Sequence, residues 1–138
     1  MSDYYFSLNP TGPAVSWKSR KQPTVALSTC EAEYMAFAAT IQEAIFLRML
    51  IEEFICHPVG TIRINGDNQG AISLVKNPVF HNRSKHIDIK YNFIREKHSN
   101  GEIELVYVPS ESNIADIMTK PSTKYKLEVF REHLFGKW

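Results

Sequence analysis

Three acidic side chains lie in short segments where a carboxylate can serve as a metal ligand. Glu33 is near the start of a predicted helix, Asp67 directly follows a predicted strand, and Asp116 is near the start of another predicted helix. Hard divalent cations such as Mg²⁺ prefer oxygen ligands, and acids at such positions can meet at one edge of a sheet. The pattern therefore predicts a shared metal site suited to phosphodiester chemistry.

Each of these acids also has an ordinary structural use. Glu33 can be a solvated helix acid, while its neighbour Glu31 is at the position where a capping box with Ser28 would use it. Asp67 can cap the helix that follows it, and Asp116 can be an acid favoured by a helix dipole. The combination of the three, and not any one of them, favours the metal site.

The chain has 138 residues, of which 43% are hydrophobic, which is enough to form the core of one compact domain. A single domain is therefore predicted over residues 1–138. A formal charge of +1 gives no overall attraction to nucleic acid, so any such surface must come from local clustering. Cys30 and Cys56 lack the spacing of a metal or redox motif and are predicted to be reduced thiols packed at helix ends.

No apolar run is expected to reach the roughly 20 residues of a membrane span, and the first residues do not resemble a signal peptide. We therefore expect an intracellular protein, cytoplasmic or nuclear, with no membrane partner.

The order of predicted elements is that of an α/β fold with a mixed sheet flanked by helices. Period and turn signals predict the following elements. They are a hairpin of Tyr4–Leu8 and Val15–Lys18, an extended stretch Thr24–Leu27, a helix from Ser28 to about Ile55, a strand Ile62–Asn65, a helix Gln69–Val75, a helix through Ile87 to about Lys97, a strand Ile103–Tyr107, a helix capped by Ser112 or Asn113, and an amphipathic segment Tyr125–Phe135.

A basic cluster precedes one of these helices: His81, Arg83, Lys85 and His86 lie within six residues. Such a loop beside a metal site would suit a phosphate backbone, because Lys, Arg and helix amino ends hold phosphates. The alternative is a merely solvated loop.

A second basic stretch surrounds Trp17. Lys18 and Arg20 are predicted to follow a nucleic-acid backbone. Trp17 itself is predicted to be a core residue rather than a stacking platform.

Several ordered motifs follow one another along nearly the whole chain. They are Ser16–Gln22, Ala26–Tyr34, Asp67–Ile72, Asn77-Pro78, His81, Lys85–Asp88, Tyr107–Pro109 and Asn113–Pro121. Together they resemble one known family, the ribonuclease H domain at the end of Ty1/copia retrotransposon polyproteins.

The resemblance implies a ribonuclease H-like fold and hydrolysis of the RNA strand of RNA·DNA hybrids with two Mg²⁺ ions, or Mn²⁺ in their place. By motif, Glu33, Asp67 and Asp116 would be the catalytic and metal-binding acids. Nucleic-acid contacts would come from the basic residues above together with Asn68, Gln69 and Asn113. The implied partners are a nucleic acid and the reverse transcriptase region of the parent polyprotein.

One part of the family pattern is not matched. The first catalytic Asp of that family lies on an opening strand, central in the sheet, and this sequence begins after the corresponding segment. Asp3 is the only acid nearby that could replace it, and the mobile His of some ribonucleases H has no counterpart in Val108–Ser112.

Two functions from different classes follow, and a purely structural fragment is a third possibility. The first is a ribonuclease H-type nuclease, provided that a fourth ligand completes its metal site. The second is a catalytically inactive, host-adopted module that binds nucleic acid or protein. A sheet edge left exposed by the absent strand would allow pairing with another chain, including a homodimer.

Overall fold

A computed structural model of the chain describes residues 2–10, 12–22, 29–77, 85–118 and 121–136, with the backbone alone at residues 30 and 86. The predicted extended stretch Thr24–Leu27, the capping residue Ser28 and most of the basic loop lie outside the described residues.

The chain opens with the predicted hairpin. Strand β1 (Ser2–Ser7) pairs antiparallel with β2 (Ala14–Arg20). Tyr5 is opposite Trp17, and an irregularity follows at Phe6 and Ser7. Pro10 and Gly12 between the strands supply the turn that reverses the chain.

Helix α1 (Thr29–Ile55) is the long helix that the apolar period predicts. Its first half supplies much of the core through a set of buried residues that share one face: Tyr34, Phe37, Ala38, Ile41 and Ala44. The helix therefore stabilises the fold mainly through burial of this face.

Strand β3 (Ile62–Gly66) and β4 (Ile103–Tyr107) pair in parallel, and helices α2 (Gln69–Lys76) and α3 (Lys85–Ser99) connect them. Parallel strands need such a crossover because a short turn cannot join them. The buried residues of α2, α3, β3 and β4 join those of α1 in one core cluster.

The predicted helix after Ser112 is instead two short 3₁₀ segments, Ser110–Ser112 and Ile114–Met118, separated by Asn113. Pro109 fixes extended backbone just before them, and neither segment contains a fully buried residue that would favour a longer helix. Helix α4 (Lys124–Phe135) then closes the described chain, as predicted.

Within the described ranges, the strands form two two-stranded sheets, one antiparallel (β1-β2) and one parallel (β3-β4). The α/β class is confirmed. The two sheets share α1: the Ser16 hydroxyl of β2 donates to Glu43 at 2.6 Å, and Gly66 of β3 lies directly against the Phe37 ring.

Helix α4 packs on the face of the hairpin that is opposite to α1. The Tyr5 hydroxyl donates to the carbonyl of His133 at 2.7 Å. Trp17, on the same face as Tyr5, is 65% exposed. The prediction that Trp17 is a core residue is therefore wrong, because α4 covers the hairpin only in part.

Two further predictions about individual features need correction. Cys56 is exposed and follows the end of α1 with a φ of 51°, so it is not packed at the helix end. The segment Glu31–Ile55 is long and apolar enough to cross a membrane by length and composition, contrary to the expectation. A core helix passes the same test, and α1 supplies core residues, so this is weak evidence for a membrane span.

The close approach of Gly66 to α1 gives a testable prediction. A Cβ at this position would lie 2.7 Å from the Phe37 ring, so Gly66→Ala should cost about 1–3 kcal/mol of unfolding free energy by overpacking. Urea unfolding measures the loss. Gly60→Ala is the matched control because nothing lies within 4 Å of its added Cβ. Equal stabilities of the two variants would contradict the close packing.

Candidate active site

The three predicted acids line one cavity. Glu33 from α1, Asp67 from the end of β3 and Asp116 from the second 3₁₀ segment all contribute to a space of about 630 Å³. Asp3 of β1 lines it as well. Four elements that are distant in sequence thus bring four carboxyl groups to one cavity.

Asp67 is placed by the tight junction between β3 and α1. Gly66 permits the strand to end against Phe37, and Asp67 follows it into the cavity. The Ser110 hydroxyl donates to Asp67 Oδ2 at 3.0 Å. The capping role considered for Asp67 belongs to its neighbour: Asn68 Oδ1 accepts the N–H of Ala71 at 2.9 Å and caps α2.

Glu33 and Asp116 enter the cavity from two other sides. Glu33 shares a face of α1 with Ala36, Phe37 and Thr40, all of which line the cavity. Asp116 is fixed by its 3₁₀ segment, where its N–H donates to the Asn113 carbonyl at 3.2 Å. Glu31, two residues before Glu33, is buried. The helix therefore directs the two acids to different surroundings.

The carboxyl group of Asp3 has a perturbed pKa. Burial raises the pKa of its carboxyl, a hydrogen bond from Ser19 and the N-terminal amine oppose this, and the charge of Asp116 raises it further. Its Oδ1 atom is inaccessible to solvent and has no hydrogen-bond partner among the described residues. Asp3 and Asp116 thus repel each other across the cavity.

This perturbation predicts a pH-dependent effect of Asp3→Asn. Because the folded pKa of Asp3 is raised above 3.8, ionisation disfavours the fold, so the uncharged Asn should raise the melting temperature at pH 7. The advantage should shrink as the pH falls through the folded pKa toward 3.8, where Asp3 is itself protonated. Thermal unfolding at several pH values measures it. A constant difference would rule out ionisation as the cause.

The donors fit Mg²⁺ by their chemistry, since all four are carboxylates. Their spacing is less favourable: among the residues that the structure describes, no three His, Cys, Asp or Glu side chains are grouped closely enough to hold an ion. The acids surround a common space without forming a closed ligand set.

Of the predicted nucleic-acid contacts, Asn113 alone is among the described residues that line the cavity. Lys18 and Arg20 are exposed on β2, Gln69 is exposed in the first turn of α2, and Asn68 is used as its cap. Lys85 is exposed at the start of α3. His81, Arg83 and the side chain of His86 lie outside the described residues.

Arg63 was not among the predicted site residues. This residue lines the cavity from β3, and its Nε donates to Asn65 Oδ1 at 3.0 Å. As a cation on the lining of the same cavity, Arg63 can contact a phosphate. The alternation of Arg63 with the buried Ile64, in a strand that leads to Asp67, was the available signal.

Comparisons with known proteins find relatives among the polyproteins of retroelements. The chain is 38% identical over 129 residues, or 94% of its length, to the retrovirus-related Pol polyprotein from transposon TNT 1-94 of Nicotiana tabacum. It is 39% identical over 116 residues, or 84% of its length, to the Pol polyprotein from transposon RE1 of Arabidopsis thaliana. Its homologues are Pol polyproteins of the Ty1/copia type.

The similarity extends to yeast, where a Ty1 Gag-Pol polyprotein is 30% identical over 80% of the chain. The chain spans only 10% of the tobacco polyprotein and 8% of the RE1 polyprotein. No family model and no solved structure matches the chain. The chain therefore corresponds to a short segment of these much longer Pol polyproteins.

Proposed function

We propose that this retroelement-derived domain is a ribonuclease H-type nuclease that hydrolyses the RNA strand of RNA·DNA hybrids. One observation carries the proposal: Glu33, Asp67 and Asp116, selected by motif alone, line a single cavity. Pol polyprotein homology is consistent with it, because a nuclease acting on nucleic-acid hybrids belongs to the chemistry of reverse transcription.

In this proposal the three acids, with Asp3 as the fourth, hold Mg²⁺ or Mn²⁺. When bound, the ions supply an activated water and stabilise the leaving 3′ oxygen. A cation held by these residues would also offset the repulsion between Asp3 and Asp116.

The chain's own residues position the acids and the substrate. Ser110 orients the Asp67 carboxylate, and Arg63 offers a positive charge to a phosphate at the cavity. Substrate choice would depend on duplex shape and on contacts to 2′-hydroxyl groups. The exposed Lys18 and Arg20, with Lys85 and the rest of its basic cluster, would contact the phosphate backbone beyond the cavity.

A second candidate is a catalytically inactive module that binds nucleic acid or protein. The observation that favours it is the absence of a closed three-acid group among the described residues. A host-adopted domain of this kind would retain the basic surface without turnover. With either candidate function, we propose the reverse transcriptase region of a parent polyprotein as a partner and a cytoplasmic or nuclear location.

A cleavage assay separates the two candidates. The purified chain is incubated with end-labelled RNA·DNA hybrid, double-stranded RNA or double-stranded DNA, in Mg²⁺, Mn²⁺ or Ca²⁺. The nuclease proposal expects cleavage of the hybrid's RNA strand alone, with Mg²⁺ or Mn²⁺. Binding of the hybrid without cleavage in every metal would favour the module.

Calorimetric titration with Mg²⁺ tests the metal site independently of turnover. The proposal expects heat of binding that is lost in Glu33→Gln. Equal binding by the wild type and this variant would show that the cavity acids do not hold the ion.

A further inference from the structure

The second half of α1 carries large apolar side chains at the surface. Phe46, Met49 and Phe54 are 58%, 65% and 81% exposed, and Leu50 is exposed as well. In the apolar segment Glu31–Ile55, only 33% of the most apolar 18-residue stretch is buried, so packing in the core accounts for only part of its apolar character. Exposed apolar surface of this extent is typical of an interaction site.

Five of the apolar side chains share one face of the helix. Phe46, Leu50 and Phe54 follow one another at intervals of four residues and form a single row. Leu47 and Ile51 lie beside this row at the same interval and are half-buried. We call these five residues the apolar stripe. The stripe is about 12 Å long, at about 1.5 Å per residue.

The hairpin packs on the same side of α1 up to Glu43, which lies one helical turn before the apolar stripe. Gln22 just after β2 donates to the Ala32 carbonyl at 2.9 Å, and the Ser16 hydroxyl donates to Glu43 at 2.6 Å. The strand β2 therefore runs opposite to α1 and begins, at Ala14, near the start of the stripe. The stripe continues this side of the helix beyond the end of the hairpin.

We propose that two copies of the chain form a dimer through the apolar stripe, with their α1 helices antiparallel and the two-fold axis at Leu50. In this arrangement Leu50 contacts the partner subunit's Leu50, and Phe46 contacts the partner subunit's Phe54. A row of side chains at intervals of four residues is the ridge that packs into the grooves of a second helix in the commonest class of helix pairs, at a crossing angle of about −50°. The stripe is thus complementary to itself.

The exposed area of the stripe fits a small dimer interface. With about 200 Å² for a whole phenylalanine side chain, Phe46 and Phe54 offer roughly 280 Å² of apolar surface per copy. Met49 and Leu50 raise the total to roughly 400 Å². Two such surfaces, at about 65% apolar area, correspond to an interface of roughly 1,200 Å² in total. This is the lower end of the range for specific interfaces, so we expect a reversible dimer with a micromolar dissociation constant.

Charge favours the antiparallel arrangement over a parallel one. Among the described residues, the last turn of α1 contains the acids Glu52 and Glu53 and no basic side chain. A parallel dimer would bring these acids and two negative helix ends together. The antiparallel dimer places each C-terminal end beside the middle turns of the other helix and so separates the acids.

The dimer leaves the acidic cavity open. Glu33 precedes Leu50 by about 25 Å along the axis of α1. The two copies therefore carry two separate cavities, and the dimer depends neither on a metal nor on the proposed cleavage.

Sedimentation velocity on the purified chain, from about 1 to about 300 μM and without metal or nucleic acid, tests the dimer. We expect the weight-average sedimentation coefficient to rise with concentration from the value of a monomer to that of a dimer. Phe54→Glu should weaken association at least about tenfold, because it places a charge against apolar side chains. Phe54 is 81% exposed, so this variant should keep the fold.

Ile89→Glu in α3 is the matched control. Ile89 is 64% exposed, so the same change from an apolar to an acidic side chain is made at the surface. Its neighbours Ile87 and Tyr91 are buried in the core cluster with α1, so Ile89 lies on the opposite side of α3. We expect the dissociation constant of this variant to equal that of the wild type.

Disulfide formation locates the two-fold axis. In a chain with Cys30→Ser and Cys56→Ser, Leu50→Cys should form a covalent dimer on mild oxidation, because a residue at the axis meets its own copy. Gln42→Cys in the same background should not. Gln42 is exposed on the same helix, but its copy would be about 24 Å away, far beyond the reach of a disulfide.

Each alternative has a distinct result. A chain that stays monomeric up to the highest concentration overturns the proposal and leaves the stripe to a different protein, such as another region of a parent polyprotein. Equal weakening by Phe54→Glu and Ile89→Glu would show nonspecific association, and equal disulfide yields from Leu50→Cys and Gln42→Cys would exclude this axis. Since no cleavage is measured, failure of the nuclease proposal would not change these outcomes.

Discussion

Glu33→Gln and Asp67→Asn should each lower the rate of RNA-strand cleavage by more than about 100-fold. Both side chains line the cavity, and both replacements keep the shape while removing a negative charge. Loss of residues that merely orient metal ligands costs about 10–100-fold, so loss of a ligand should cost more. Initial rates with the labelled hybrid at saturating Mg²⁺ measure the effect.

Glu53→Gln is the matched control for Glu33→Gln. It makes the same chemical change on the same helix, at an exposed position that does not line the cavity. We expect it to retain wild-type rates. The double variant of Glu33 and Asp67 should be little worse than either single variant, because residues that act as one unit are not additive.

Cleavage that survives both single substitutions would mean that the activity arises elsewhere or from a contaminant. Equal losses in Glu33→Gln and Glu53→Gln would indicate a general effect of charge on hybrid binding. Unfolding curves of each variant separate either result from a loss of structure, since removing a partly exposed charge should leave the fold intact.

Local patterns predict the helices and strands well where one face is buried. The apolar period of α1 and the alternation of Ile103 and Leu105 in β4 both come from residues that the core buries. The helix predicted after Pro109 was wrong, because this segment has no buried face. Helix-start residues such as Asn113 are present, but no tertiary contact extends the 3₁₀ turns into a longer helix.

The arrangement of strands was less accessible from sequence. Hairpin and crossover signals predict which strands exist, but β1 and β3 meet neither each other nor a common neighbour among the described residues. Whether a gap separates them depends on how both pack on α1, through contacts such as Gly66 with Phe37. Such contacts between distant segments leave no periodic signal.

At the site, sequence motifs predicted individual residues but not the interactions between them. Glu33, Asp67 and Asp116 were predicted by motif and line one cavity. The charge interaction between Asp3 and Asp116 was not predicted, because it requires β1 to lie beside the second 3₁₀ segment. The same contact makes Asp3 relevant to the nuclease proposal, in which it would be a metal ligand.

Ile94→Ala should lower the free energy of unfolding by about 2–5 kcal/mol, the usual cost of removing a fully buried aliphatic side chain. Ile94 lies in α3 with 0% of its surface exposed and belongs to the core cluster that joins α3 to α1. Its loss leaves a cavity that the surrounding helices and strands can close only in part. Urea unfolding followed by far-ultraviolet circular dichroism measures the change.

Ile89→Ala on the same helix is its control, because Ile89 is 64% exposed and the same atoms are removed from a surface position. We expect a change of no more than about 0.5 kcal/mol. A similar loss in both variants would contradict burial as the cause; helix propensity cannot explain it, because Ala has the higher helix propensity at both positions. A loss in Ile94→Ala alone would show that burial in the core stabilises α3. Because Ile64 of β3 belongs to the same core cluster, we expect a destabilised core to loosen β3 and the Asp67 that follows it.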